Sequence, residues 1–434
     1  MTHYDAVVVG AGPAGSTAAF FMASSGLKVV LLERGDYPGS KNMFGGTIYA
    51  EPLAEVVPEF WLEAPLERAV VRDGVWLLDR DSAVEIGFSG LRFAKAPFNK
   101  FTALRPRFDR WLAEKAVAAG AALETATVAR ELLYERKVLG RGAVCGVALD
   151  GGEKITAEVV VLAEGVQASL TRKAGLTEPL SADRVGLWVR EVLSLPAEKI
   201  EDRFLLEKEE GAVLAMVGYP TGQSIGLAGI FTNRDSLSIL LGMPLHLLME
   251  NRVSLPELLS SFKKHPLVRR LIAGGESMGY AAHLTTRGGV AARQKFYSDG
   301  VMVAGEAALM VSGRRGSDLA MLAGKLAAET AVQARARGDF SSRMLKNYKR
   351  KLEATFFMQN IRSAAGSVNY YDRYGDADYL MSTLANELAY KFFQVEKETD
   401  EEKTAKMTSL LLNKQLPVKS VRDLLAGLRD WGVL

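Results

Sequence analysis

The sequence predicts an α/β protein in which a dinucleotide-binding domain of parallel strands and helices is interrupted by an antiparallel-sheet substrate domain and followed by a helical C-terminal region. Three observations carry this expectation. A strand–glycine–helix–strand unit opens the chain, YDAVVVGAGPAGSTAAFFMASSGLKVVLLER from Tyr4 to Arg34. Two later stretches, VVVLAEGV and VMVAGEA, again end an apolar run at a glycine beside a carboxylate. Elsewhere apolar and polar residues alternate, as in VVRDGVWLLDRDSAVEIGF and RVGLWVREV. The dinucleotide domain is assigned to residues 1–75, 102–184 and 275–345, the substrate domain to 76–101 and 185–274, and the helical region to 346–434.

In the opening unit, Ala6 to Val9 form a short buried strand that stops at Gly10. Gly10 permits the tight turn, Gly12 lets backbone N–H groups approach a pyrophosphate, and Gly15 lets the next helix lie close on the sheet. That helix runs from Pro13 to about Ser25 and points its positive end at the phosphates; Gly26 caps it. A second strand, Lys28 to Leu32, ends in Glu33, where a carboxylate can accept both hydrogen bonds of a ribose diol.

Gly35 to Tyr49, GDYPGSKNMFGGTIY, reads as a loop whose Gly45 and Gly46 let backbone pass close to a flat ring. Pro52 to Leu66 reads as a short helix broken by prolines, and Glu67 to Phe101 as antiparallel sheet with turns at Asp73-Gly74 and Ser89-Gly90. Thr102 to Ala119 has helical spacing, with Phe108, Trp111, Leu112, Lys115 and Ala116 along one face and Pro106 near its start. Arg105 and Arg107 precede or open it, within reach of a phosphate or a ring edge, or simply solvated. After Gly120 come strands near Ala122–Val128, Glu131–Lys137, Ala143–Leu149 and Lys154–Thr156, then a parallel strand Val159 to Ala163 ending at Glu164-Gly165 ahead of a helix near Ser169.

Val185 to Gly274 extends the antiparallel sheet and contains SLSILLGMPLHLLMENRVSLPELLSSFKKHP, whose leucines and methionines pack on the sheet or form a docking face. Val301 to Ala304, Gly305-Glu306 and a loop through Gly313 and Gly316 lead into an alanine-rich helix. There a carboxylate can hold a hydroxyl, and N–H groups from Gly316 to Leu319 can stabilise negative charge. Beyond Phe340 the chain reads as helical, and EKETDEEKTAKM as a solvated helix face.

Composition narrows the chemistry. Lys plus Arg is 54 and Asp plus Glu 51 among 434 residues, which gives no reason to expect nucleic acid. The absence of a leader pattern and of an apolar run of roughly 18 residues predicts a cytoplasmic location with at most peripheral membrane contact. Cys145 is the only cysteine, so no disulfide or iron–sulfur cluster can be built from this chain's thiolates. The scattered His3, His246, His265 and His283 speak against a zinc site.

GAGPAG with ER, VVLAEGV, and VAGEA followed by RRGSDLA resemble the Rossmann-like FAD fold of the glutathione-reductase type. SKNMFGGTIY and TALRPRFDRWLAEKA more narrowly resemble the FixC/EtfC branch of electron-transfer flavoprotein:quinone oxidoreductases. The similarity thins after about Lys351. It implies FAD as cofactor, held by Gly10, Gly12, Pro13, Ala14, Gly15, Glu33, Arg34, Lys41, Met43, Phe44, Gly45, Gly46, Arg105, Val128, Glu164, Gly165, Gly305, Glu306, Gly316, Ser317 and Asp318. It also implies electrons arriving from an electron-transfer flavoprotein, which can itself bifurcate electrons, and leaving to menaquinone or ubiquinone at the cytoplasmic face of the membrane. No catalytic triad, acid/base pair or metal is expected. Larger family members carry their own [4Fe–4S] domain; with a single cysteine, this chain resembles the short form served by a ferredoxin-like subunit of the FixX/EtfX type. Glu306 stands where the family commonly has Asp. Alternatives are a geranylgeranyl-reductase-type enzyme, against which the lack of a cysteine in KNMFGG counts, a hydroxylase-type flavin monooxygenase, and a non-catalytic FAD-containing structural subunit.

Overall fold

The structure is a computed structural model. It describes residues 2–42, 45–136, 142–222, 224–287, 294–311, 315–359, 361 and 377–414, with isolated positions at 419, 422 and 425. The chain divides into two compact units.

The first unit comprises Met1–Leu66, Ala103–Ser181 and Thr285–Ala365. At the centre of its sheet lies the opening strand, Thr2–Val9, whose last four residues are buried. It pairs in parallel with Lys154–Leu162 on one side and Val29–Leu32 on the other. Val301–Val303 extends the sheet beyond the former and Ala122–Glu124 beyond the latter, both in parallel. Valine, isoleucine and leucine fill these strands because both faces are covered by other elements. The fingerprint helix, Pro13–Ser24, lies so close to the long helix Ser317–Arg337 that a Cβ on Gly324 would run into the Ala14 carbonyl oxygen. A further helix, Ser342–Glu353, buries Met344, Leu345, Tyr348 and Leu352, and the Tyr348 hydroxyl donates to the Val303 carbonyl at 2.9 Å.

Three expectations change here. Lys154–Thr156 and Val159–Ala163 are not two strands: Lys154–Leu162 is continuous, pairing with Val144–Leu149 at its start and with the opening strand along most of its length. Gly45–Tyr49 is a strand rather than loop, because Thr47, Ile48 and Tyr49 favour extended backbone and Ile48 is buried. Helix does not begin at Thr102. Lys100–Leu104 is a strand, and the helix is Arg105–Ala118, with Pro106 in its first turn where no N–H is needed.

The second unit comprises Glu67–Thr102, Ala182–Leu284 and Gly366–Leu434. Its sheet runs in the order Glu276–Thr286, Val185–Ser194, Ser236–Pro244, Leu227–Thr232, Glu210–Gly218, Leu66–Leu78, Lys100–Leu104, with Ala83–Ser89 also paired to Leu66–Leu78. One face is covered by the helices Ala197–Phe204, Leu245–Asn251, Leu255–Lys264 and Pro266–Ile272. The sheet is mixed, since Leu66–Leu78 pairs in parallel with Glu210–Gly218. Nor does the chain turn at Asp73-Gly74: the strand passes through it, and a Cβ on Gly74 would press on the Leu214 side chain. The reversal comes at Asp79–Ser82, closed by the Asp79 N–H donating to the Ser82 carbonyl at 3.0 Å. Ser236–Pro244 is a fully buried strand, and of the leucines and methionines in the run that follows only Met249 is largely exposed, so packing accounts for those residues.

Candidate functional site

The parallel strands of the first unit end side by side. Val9 lies opposite Leu162 and Leu32, Leu162 opposite Val303, and Leu32 opposite Glu124. Beyond these ends the N–H of Gly10 donates to Leu32, that of Ala163 to Val9 and that of Ala304 to Leu162, at 2.8 to 2.9 Å. Gly10, Glu33, Glu164-Gly165 and Gly305-Glu306 are thereby brought to one edge, the carboxyl edge at which doubly wound sheets take ligands.

The three fingerprint glycines differ in what surrounds them. Gly10 has φ +100°, and a Cβ there would meet the Ala163 carbonyl oxygen; one on Gly15 would meet the Gly10 carbonyl oxygen. These two glycines are demanded by the protein's own packing. Around Gly12 no described residue lies within 4 Å of a Cβ position, and no side chain of the described residues caps the helix that follows. The N–H groups at Ala14 and Gly15, in the first turn, have no intrahelical acceptor and lie at the positive helix end, the arrangement that binds phosphate.

Glu33 is buried and fixed. Its Oε2 accepts from the Ala11 N–H at 3.0 Å and its Oε1 from the Gly35 N–H at 2.8 Å. Each oxygen keeps a lone pair for a hydroxyl donor. Arg34, exposed, donates to Gln167 at 2.7 Å and so ties this corner to the turn at Gly165. Val128 lies next to Thr127, whose N–H donates to the Glu33 carbonyl. The carboxylate of Glu164 points elsewhere: it accepts from the N–H groups of Leu170 and Thr171 and from the Thr171 hydroxyl, at 2.8 to 2.9 Å, and so caps the helix Ser169–Lys173.

A second group gathers at the start of the long helix. Arg105 forms a forked pair with Asp109, at 2.6 and 2.8 Å, and donates to the Ser317 hydroxyl at 3.1 Å. Burial pushes the Asp109 carboxyl upward, against the pull of Arg105. Gly39, at φ +87°, lets the loop backbone lie on Arg105 and Pro106. Asp318, 3 % exposed, accepts from Arg315 at 2.6 Å through Oδ2, while its Oδ1 has no hydrogen-bond partner among the described residues. The Arg315 guanidinium lies over the rings of Tyr49 and Phe356, 5.3 and 4.9 Å from their centroids. Glu306 accepts from the Thr286 N–H at 3.0 Å. Lys41 is exposed, Gly45 and Gly46 open the strand Gly45–Tyr49, and Met43, Phe44 and Gly313 lie outside the described residues.

Sequence reading did not select Asp109 or Arg315. The spacing of Arg105 and Asp109, four apart on a helix, carries a signal for their pairing. Nothing local announces the cage around Arg315, whose rings come from residues 49 and 356.

Residues 8–49 match the model of the NAD(P)-binding Rossmann-like domain. The chain is 39 % identical over 354 residues to the protein FixC of Salmonella typhimurium, covering 81 % of each. It is 38 % identical over 364 residues to the probable electron transfer flavoprotein-quinone oxidoreductase YdiS of Escherichia coli, covering 83 % of each. It belongs to the FixC family. Among solved structures, a geranylgeranyl bacteriochlorophyll reductase-like protein of Thermoplasma acidophilum shares the fold at a TM-score of 0.69 and 21 % identity, covering 98 % of this chain and 100 % of that one. A flavin-dependent brominase does so at 0.62 and 18 %, covering 95 % of this chain and 100 % of that one.

For this FixC-family chain the edge fits FAD. It offers a helix end that no side chain of the described residues caps for the pyrophosphate, a pinned carboxylate for a ribose, and a buried carboxylate oxygen, Asp318 Oδ1, without a donor among the described residues. The chain is an FAD-dependent oxidoreductase.

Proposed function

We propose that this protein carries electrons from an electron-transfer flavoprotein to a membrane quinone. The observation that carries the reading is the carboxyl edge with Glu33 pinned and the Gly12 helix end open, in a chain that matches FixC and an electron transfer flavoprotein-quinone oxidoreductase over about four fifths of its length. Bound FAD supplies the ability to hold one or two electrons, which joins a one-electron donor to a two-electron acceptor.

The chain's own work is to hold and polarise. Glu33 orients the ribose, and the N–H groups at Ala14 and Gly15 receive the pyrophosphate. The positive end of Ser317–Arg337 favours negative charge on a ring placed before it, and Arg315 keeps the neighbouring Asp318 from cancelling that effect. Arg105, locked by Asp109, fixes Ser317 at the same end. Gly316, Gly305 and Gly165 extend this surface, and Lys41, Arg34 and Val128 border it.

Cys145 alone cannot ligate a [4Fe–4S] cluster, which supports a separate ferredoxin-like subunit in the relay. The helices Ala377–Phe393 and Asp400–Lys414 are the proposed dock for it. Deleting Asn369 to Leu434 is expected to abolish its co-purification; unchanged co-purification overturns the dock. Among the described residues no helix is long and apolar enough to cross a membrane, which fits peripheral contact with the quinone pool.

The deciding experiment is anaerobic. Reduced electron-transfer flavoprotein, with any iron–sulfur subunit that co-purifies, is mixed with the protein, and a menaquinone analogue is then added. Flavin bleaching followed by recovery faster with quinone than with oxygen is expected. Saturation of a prenyl lipid without quinone reduction would contradict the proposal, as would a flavin that never exchanges electrons with either partner.

A further inference from the structure

The net charge of the chain is +3, yet residues 335–353 alone carry seven cations, Arg335, Arg337, Arg343, Lys346, Lys349, Arg350 and Lys351, against Asp339 and Glu353, a net of +5. The remainder is therefore at −2. Arg335 is neutralised by Asp5 and Lys351 by Glu329, and Lys349 lies 3.8 Å from Glu353. Arg343, Lys346 and Arg350 have no carboxylate of the described residues within 4.0 Å. At 100° per residue these three share one face of Ser342–Glu353, opposite the buried Met344, Leu345, Tyr348 and Leu352.

We infer that this basic face is the landing surface for an acidic protein partner, and that the partner is the electron-transfer flavoprotein. The inference rests on the proposed function. Lipid is disfavoured because the apolar residues of the helix are all turned inward, and a helix lying in a bilayer needs an apolar face outward. A patch made of charge alone steers encounter, raising the association rate at low ionic strength. The helix is also well placed for electron transfer. Tyr348, on its inner face, hydrogen-bonds to Val303, two residues before Gly305-Glu306, so only this helix separates a partner on its outer face from the strand that leads to the cofactor edge.

The test is the double reversal Lys346→Glu/Arg350→Glu in the flavin-loaded protein, with Arg110→Glu/Lys154→Glu as an equal charge change elsewhere. Stopped-flow reduction by reduced electron-transfer flavoprotein is followed across a salt series, with reduction by dithionite, flavin content and melting temperature as controls. Reduction of the first variant is expected to slow about tenfold at low salt and to lose its salt dependence, with the control variant and dithionite rates unchanged. Equal rates in both variants and wild type overturn the inference and leave the functional reading standing. Failure of the electron-transfer flavoprotein to reduce wild type overturns the functional reading itself and the inference with it. Selective loss of binding to phosphatidylglycerol vesicles, with reduction unaltered, assigns the patch to lipid and also overturns it.

Discussion

Glycines in the two units do opposite work. In the first unit Gly10 and Gly15 let backbone approach backbone, and Gly12 leaves room for a ligand. In the second, Gly242 lies under the Trp188 ring and Gly74 under Leu214, so the missing Cβ makes space for a side chain from a strand far away in sequence. The glycine spacing of the first kind is local, although the Ala163 carbonyl that Gly10 must admit lies far along the chain. The second is written across the sheet.

The most damaging way to probe that contrast is Gly15→Val. Its side chain would meet the Gly10 carbonyl and push the fingerprint helix off the sheet, at a cost of about 3 kcal/mol, with loss of bound flavin. Flavin absorbance after purification and a thermal melt check both. Glu33→Gln comes next: the amide keeps the shape but turns an NH2 toward one of two backbone donors. Flavin affinity, measured by fluorescence titration of the apoprotein, is expected to weaken by about 2 kcal/mol, roughly thirtyfold. Gly242→Ala should cost about 1 kcal/mol by crowding Trp188, while flavin affinity stays at the wild-type value. Weaker flavin binding in that variant would erase the distinction between the units.

A subtler test uses Asp109. Its carboxyl titrates above the ordinary range in the folded chain, so between its unfolded and folded values the folded state holds more protons than the unfolded one. Stability should therefore fall as pH rises from the usual carboxylate value through the raised one, then level off. Asp109→Asn removes this titration, so its melting temperature relative to wild type is expected to rise across the same interval. A pH-independent difference would show that Asp109 does not carry a raised value.

The contrast also explains what was legible in the sequence. The parallel sheet, the fingerprint helix, Glu33 and the long helix after Gly316 were readable because apolar runs, glycine spacing and helical periodicity are local. The second unit yielded its sheet character but not its course. Asp73-Gly74 looks like a turn until Leu214, more than a hundred residues away, supplies the reason for the glycine. The same limit applies within the site. Glu164 carries the pattern of a ligand-facing carboxylate, and its partners turn out to be Leu170 and Thr171. Arg315 matters because Tyr49 and Phe356 meet there, which no window of sequence displays.

The most direct measurement is a crystal structure of the flavin-loaded protein. The adenosine ribose diol is expected within hydrogen-bond distance of the Glu33 carboxylate, and the pyrophosphate over the N–H groups at Ala14 and Gly15. A dinucleotide bound away from the carboxyl edge, or a Glu33 facing no ribose, would contradict this placement.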